Sequence, residues 1–339
     1  MMEKIKIGFR ILLLVVLCST QSLHAQRSDI RVHDPVMAKH DGTYYLFCTG
    51  MGIDVFSSGD MKNWKREAPV FDKAPEWTNN VVPDFSGHIW APDIHFYEGK
   101  YYLYYSVSAF AKNTSAIGVA TNTTLNPQSS DFKWEDRGIV VHSVPNRDLW
   151  NAIDPNIIEG KDGTAWMSFG SFWEGLKMVK LSDDRTSIAE PQVWHTIAKR
   201  ERSPFLADAE PGDAALEAPF IFKKGDLYYL FVSWDYCCRG ENSTYKVVVG
   251  RSGDITGPFY DQSGKSMAKG GGTLVIEGNK DWAGAGHNSA YTFDGNDYFI
   301  FHAYDANDKG HSKLKVAEMS WTEDGWPVID PKILSASNQ

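Results

Sequence analysis

DPVMAKHDGTYYLF, residues 34–47, carries the pattern that decides the fold. An acid–proline pair opens it, an alternating stretch follows, Gly42 marks a turn, and an aromatic run closes it. Two period-2 runs joined by a glycine turn read as a β-hairpin. The pattern returns four times, as APDIHFYEGKYYLYYS (91–106), DPNIIEGKDGTAWMSFGS (154–171), EAPFIFKKGDLYYLFVS (217–233) and HNSAYTFDGNDYFIFHAY (287–304). The turn glycines, Gly42, Gly99, Gly163, Gly225 and Gly295, stand 57 to 70 residues apart. A hairpin takes about 20 residues, which leaves room for two more strands per unit. IGVAT from Ile117 and VVVGRS from Val247 suit such third strands. Five units of four strands predict an all-β, five-bladed β-propeller, in which radial repetition protects the strand edges. A parallel β-helix would need a shorter repeat, and no long amphipathic helix pattern competes.

In a propeller the first strand of each blade lines the central channel, so equivalent repeat positions converge on one mouth. Those positions carry Asp34, the stretch Trp90–Asp93, Asp154, Glu217 and His287. Carboxylates gathered there would be costly as structure alone, so the repeat turns scattered acids into one candidate site. The alternative for Asp34 and Asp154, that each Asp-Pro merely caps a turn, explains them singly but not together.

Around this core, Lys4, Lys6 and Arg10 precede the apolar run Ile11–Leu17, and Ala25 offers a cleavage point. This reads as an export signal over residues 1–25, with one propeller domain over 26–339 and a secreted or periplasmic protein. The apolar run is shorter than the roughly 20 residues that span a bilayer, and Leu17 is a poor neighbour for lipidation at Cys18. The net charge of −9 falls to about −11 without the leader. No basic run interrupts it, which argues against nucleic acid as a partner. Three cysteines remain, Cys48, Cys237 and Cys238. That is no disulfide framework, and buried thiols are the expected state, a bond between the adjacent pair being the uncommon alternative.

Six motifs carry a resemblance to a known family. VHDP (32–35), NAIDPN (151–156) and EAPF (217–220) are similar to those of glycoside hydrolase family 43. GSFWEG (170–175), CCRGENSTY (237–245) and GHNSAY (286–291) resemble its arabinanases in particular. The resemblance implies that Asp34 is the general base, Glu217 the general acid, and Asp154 the carboxylate that orients the acid and raises its pKa. That division agrees with the chemistry of glycoside hydrolysis, which needs one carboxyl protonated while another is ionised. Crowding carboxylates together supplies it. Trp90, Phe110, Ser171, Phe172 and Trp173 are candidate cleft residues, and Asn151 a candidate partner for a sugar hydroxyl. Asp93 either serves the site or ties its blade to the next. The resemblance further implies Ca²⁺ in the channel facing His287, a contact that calcium's preference for oxygen does not itself predict. Glu174, at the cleft wall, and Ala285 depart from the family pattern.

The expected activity is inverting hydrolysis of internal α-1,5-linkages in arabinan by a monomer. The alternatives are exo-acting arabinofuranosidase or β-xylosidase action on the same carboxylates, or a non-catalytic carbohydrate-binding propeller.

Overall fold

The computed structural model describes residues 29–335, so the expected leader lies outside the described residues. Each of the five repeats builds one four-stranded antiparallel blade, and the second blade gains a fifth short strand, Gly50–Met51, from the first repeat. The first strands of the blades are Val36–His40, His88–Tyr97, Asn156–Glu159, Leu216–Lys224 and Trp282–Phe293. Each pairs with the aromatic strand after its turn glycine, and the third strands include Ser115–Asn122 and Lys246–Ser252, as predicted. All five turn glycines have positive φ, a backbone region open to glycine at little cost. The ring closes where residues 30–32 pair with the third strand of blade five: Leu314 N–H donates to Ile30 O at 3.1 Å and Val32 N–H to Ser312 O at 3.3 Å.

Five buried apolar clusters hold the blades together, one at each interface around the ring. Val36, Phe47, Leu103 and Val107 join blades one and two; Phe220, Phe231, Phe299 and Phe301 join four and five. Between blades five and one sit Ile300, Leu46 and Trp64. The alternating strands thus bury both faces, which is why the sequence between turns is so rich in Tyr, Phe and Val.

A second set of contacts sits at the channel mouth and repeats with the blades. One residue in each first strand or just before it is forced to positive φ: Asp34, Ala91, Asp154, Ala218 and His287. None is glycine, and each such residue costs about 1–2 kcal/mol. Every one of their N–H groups is held by the preceding blade. Ala91 donates to Thr49 Oγ1 (2.8 Å), Asp154 to Ser106 Oγ (3.0 Å), His287 to Ser233 Oγ (2.8 Å) and Asp34 to His302 Nδ1 (3.1 Å). In blade three the equivalent of Thr49 is Gly170, with no side chain to offer, and Ala218 donates to Asp154 Oδ2 at 3.1 Å instead. This register places Glu217 one residue before the repeat position assigned to it from sequence, with Ala218 taking the strained place.

Two residues further along, the first strands are tied again. Asp93 Oδ2 accepts from Ile157 N–H at 2.7 Å, Asn156 Oδ1 from Ile221 N–H at 2.8 Å, and Ser289 Oγ donates to Pro35 O at 2.8 Å. Asp93 is therefore a blade tie. It is 2 % exposed, and it borders a cavity of about 600 Å³ that runs along the first strands toward the hairpin turns, away from the positive-φ mouth.

Burial pushes the Asp93 carboxyl up to about 7 against the hydrogen bonds from Ile157 and Asn156. The folded protein thus keeps a proton here that the unfolded chain releases near pH 4, so this contribution is full below about pH 4 and is lost as the pH rises to 7. Asp93→Asn copies Asn156, keeping the acceptor without the charge. Its stability relative to the parent should climb by a few kcal/mol between pH 4 and 8. Urea melts across that range check this, and a difference that does not change with pH would contradict it.

Candidate active site

Asp34, Asp154, Glu217 and His287 meet at the positive-φ mouth of the channel, and all four are buried or nearly so. Their positions follow from the fold: Asp34, Asp154 and His287 are the strained residues in or just before their first strands, and Glu217 stands directly before the strained Ala218. In Trp90–Asp93 and Glu217–Phe220 the pairing register shifts, as at a β-bulge, which re-aims the side chains on either side.

Asp34 is gripped on both oxygens. Oδ1 accepts from His33 Nδ1 (2.7 Å) and His287 Nδ1 (2.9 Å), and Oδ2 from Thr49 Oγ1 (2.5 Å). Burial alone would raise its pKa. The imidazoles of His287 and His33 outweigh burial and hold it well below the usual carboxylate range. His287 responds in kind: burial pulls its pKa down, but Asp34 and Asp154 lift it to about 9. At neutral pH this histidine is the cation of the site.

Glu217 and Asp154 go the other way. Burial raises Glu217, assisted by the charge of Asp34 and opposed by Tyr245, His287 and Ser171. Burial also lifts Asp154 well above its ordinary value, with the charges of Glu217 and Asp34 adding to it and His287 opposing. Both therefore hold a proton more firmly than Asp34 does. Glu217 is fixed by hydroxyls on both oxygens, Tyr245 on Oε1 at 2.7 Å and Ser171 on Oε2 at 3.1 Å. An ionised carboxylate and a protonated one in the same mouth are what acid–base cleavage of a glycosidic bond requires.

The other sequence candidates divide. Phe110 is 73 % exposed and meets the half-buried Trp90 edge-on, with ring centroids 5.6 Å apart. This exposed pair suits sugar stacking. Phe172 is half-buried and packs toward Tyr236, and Ser171 touches Glu217. Asn151 is buried, and its Oδ1 has no partner among the described residues. Trp173 differs from expectation. It is 1 % exposed, its indole N–H donates to Asp208 O and its backbone N–H to Pro211 O, so it anchors the loop before blade four and presents no face to a sugar. Glu174 pairs with Lys199 on the same wall.

Several contributors were not picked out from sequence. His33 and Tyr245 lie inside quoted motifs, VHDP and CCRGENSTY, which was the available signal. His302 stacks on His33 with centroids 3.9 Å apart, and burial and His33 hold it neutral. Nothing distinguishes it in the aromatic strand FIFHAY. Tyr304 donates to His33 Nε2 at 2.7 Å and accepts from Cys238 N–H at 2.8 Å. Cys237 and Cys238 are joined in a disulfide at the rim of the mouth, correcting the expectation of free thiols there, while Cys48 is the buried thiol expected. Cys237 is partly buried and Cys238 exposed, so the pair lacks the packing that favours the thiol form.

Comparison with known proteins agrees with this geometry. Residues 28–327 match the family described as glycosyl hydrolases family 43. A protein named extracellular exo-α-(1→5)-L-arabinofuranosidase, from Cellvibrio japonicus, is 56 % identical over 95 % of this chain and 92 % of its own. One from Bacillus subtilis, named extracellular endo-α-(1→5)-L-arabinanase 1, is 43 % identical over 87 % of each. The solved structure of a Cellvibrio cellulosa α-L-arabinanase complexed with arabinohexaose superposes with a TM-score of 0.90 at 57 % identity, covering 91 % of this chain and 98 % of that one.

Proposed function

We propose that this chain, which belongs to glycosyl hydrolase family 43, hydrolyses α-1,5-linked L-arabinan with inversion, Asp34 acting as base and Glu217 as acid. The observation that carries the division of roles is the unequal set of donors within one mouth: two imidazole N–H groups and a hydroxyl on Asp34, against two neutral hydroxyls on Glu217. Asp34, ionised and gripped by His33 and His287, takes a proton from the attacking water. Glu217, whose pKa burial raises, gives its proton to the departing sugar oxygen. Asp154 holds Ala218, the residue next to the acid, by its N–H. Trp90 and Phe110 offer ring faces to the arabinose units, and Phe172 and Asn151 extend the contact surface.

The relative at 56 % identity is named for exo action, which favours release from chain ends as the first reading of the mode of attack. Internal cleavage is the second reading, favoured by the endo-named relative and by the exposure of Phe110 outward along the rim. The names of these relatives also favour an extracellular location.

A cation beside His287 is a further part of this reading. Both Asp34 oxygens are taken and the nearby donors are imidazoles, so calcium, which takes six to eight oxygens, would bring most of them as water. Both amide atoms of the buried Asn288, next to His287 in the chain, lack partners among the described residues and suit such a hydrated ion. Bound there, it would add positive charge next to the carboxylates.

Asp34→Ala and Glu217→Ala should each lower turnover on linear arabinan about 10²–10⁴-fold while leaving the fold intact. Only Glu217→Ala should recover on aryl arabinosides, whose leaving groups need little protonation. Short oligosaccharides of one length from the first minutes, with slow loss of viscosity, are expected. An early ladder of lengths with rapid thinning would establish internal attack, and cleavage of xylan in place of arabinan would overturn the reading. Chelation should slow the parent enzyme, added calcium should restore it, and His287→Ala should abolish that restoration. An unaltered rate after chelation would leave His287 with its bond to Asp34 alone.

A further inference from the structure

Tyr245 is a buried polar side chain at the mouth to which the proposed reaction assigns no step. Its residue is 1 % exposed, and its hydroxyl donates to Glu217 Oε1 at 2.7 Å. It reaches that oxygen through a gap in blade five. A β-carbon at Gly286 would lie 2.0 Å from the Tyr245 ring, closer than any side chain can come. His302, the cross-strand partner of Gly286, also lies near the ring, with centroids 6.0 Å apart.

Resting on the reading of Glu217 as the acid, we propose that Tyr245 is a positioning residue. It assigns the transferable proton to Oε2 and stabilises the carboxylate that forms as the proton leaves. Both oxygens accept a hydroxyl, but the bond from Tyr245 to Oε1 is the shorter at 2.7 Å and the one from Ser171 to Oε2 the longer at 3.1 Å, so the acid proton belongs on Oε2, where the serine hydroxyl can turn to accept it. As the glycosidic oxygen takes that proton, Oε1 gains negative charge and its bond from Tyr245 strengthens. Hydrogen bonds to ionised acceptors are roughly twice as strong as neutral ones. The gain therefore falls mainly on the transition state and appears in kcat more than in KM. Gly286 has a matching physical reason: any side chain there would displace the phenol.

The groups facing Glu217 are Tyr245 and Ser171 by direct hydrogen bonds, and Asp154, Asp34 and His287 through their charges across the mouth. Losing the phenol removes the interaction that most opposes burial of the Glu217 charge.

The test is a set of variants assayed on arabino-oligosaccharides and on an aryl arabinoside. Tyr245→Phe should lose about 10–100-fold in kcat on the oligosaccharide with KM little changed. The loss should shrink on the aryl substrate, and the basic limb of the kcat/KM profile should move to higher pH. In the Glu217→Ala background, adding Tyr245→Phe should cost nothing further, because both act on one proton. Replacing Tyr245 by 3-fluorotyrosine keeps its shape and makes the phenol a stronger donor. It should move the basic limb to lower pH, a readout that survives if the Phe variant folds poorly. If Glu217→Ala abolishes activity while Tyr245→Phe stays within twofold of the parent, the positioning role is overturned. The same follows if the two losses multiply. If Glu217→Ala itself keeps its turnover, the failure lies instead with the reading of Glu217 as the acid.

Discussion

The mouth of the channel depends on one repeated constraint: a residue of positive φ at the entry to each blade, its N–H clasped by the blade before. Asp34, Ala91, Asp154, Ala218 and His287 occupy it. The strain of five such non-glycine residues is offset by five hydrogen bonds that would otherwise be missing from buried donors, each an omission of about 1–3 kcal/mol. The clasps also couple blade to blade, so that each side chain at the mouth is placed by two blades. Where blade three carries Gly170 and cannot supply a side-chain acceptor, Asp154 supplies it across to Ala218. A carboxylate of the candidate site thus also completes the ring of clasps.

From that ring follows the electrical asymmetry. Asp34 receives two imidazole N–H groups and a hydroxyl, enough to outweigh the cost of burying its charge. Glu217 receives two neutral hydroxyls, which are not enough. Asp154 receives N–H from Ala218 and faces two other carboxylates. Equal burial therefore gives unequal protonation, decided by how many cationic or polar donors each carboxylate meets. Like charges confined together also lift His287, whose imidazolium then holds Asp34 in place.

Much of this was legible in the sequence because the repeat projects distant residues onto one ring. The five hairpins, their turn glycines and the meeting of Asp34, Asp154, Glu217 and His287 all follow from period and register. The one-residue displacement of Glu217 does not, because a bulge inserts its extra residue without a compositional mark. Trp173 reads like a stacking residue, yet it is buried against a loop whose path no periodic signal describes. Asp93 was undecided between site and scaffold, and its equivalence to Asn156 resolves it as a tie between blades. His302 and Tyr304 hide in an aromatic strand, where polar tips on apolar rings look like core. The adjacent cysteines depended on local exposure, which pattern alone does not reveal.

The central claim is that an ionised Asp34 and a protonated Glu217 act on opposite sides of one bond, with water between the sugar and the base. Such an arrangement produces the anomer opposite to that of the substrate, because no covalent sugar–enzyme bond intervenes. Proton NMR of the first-formed products from an arabino-oligosaccharide, recorded before mutarotation equalises the anomers, measures this directly. The account predicts β-arabinofuranosyl reducing ends from α-linked substrate. Initial release of the α-anomer would contradict it, making one of the carboxylates a nucleophile and removing Asp34 as the base.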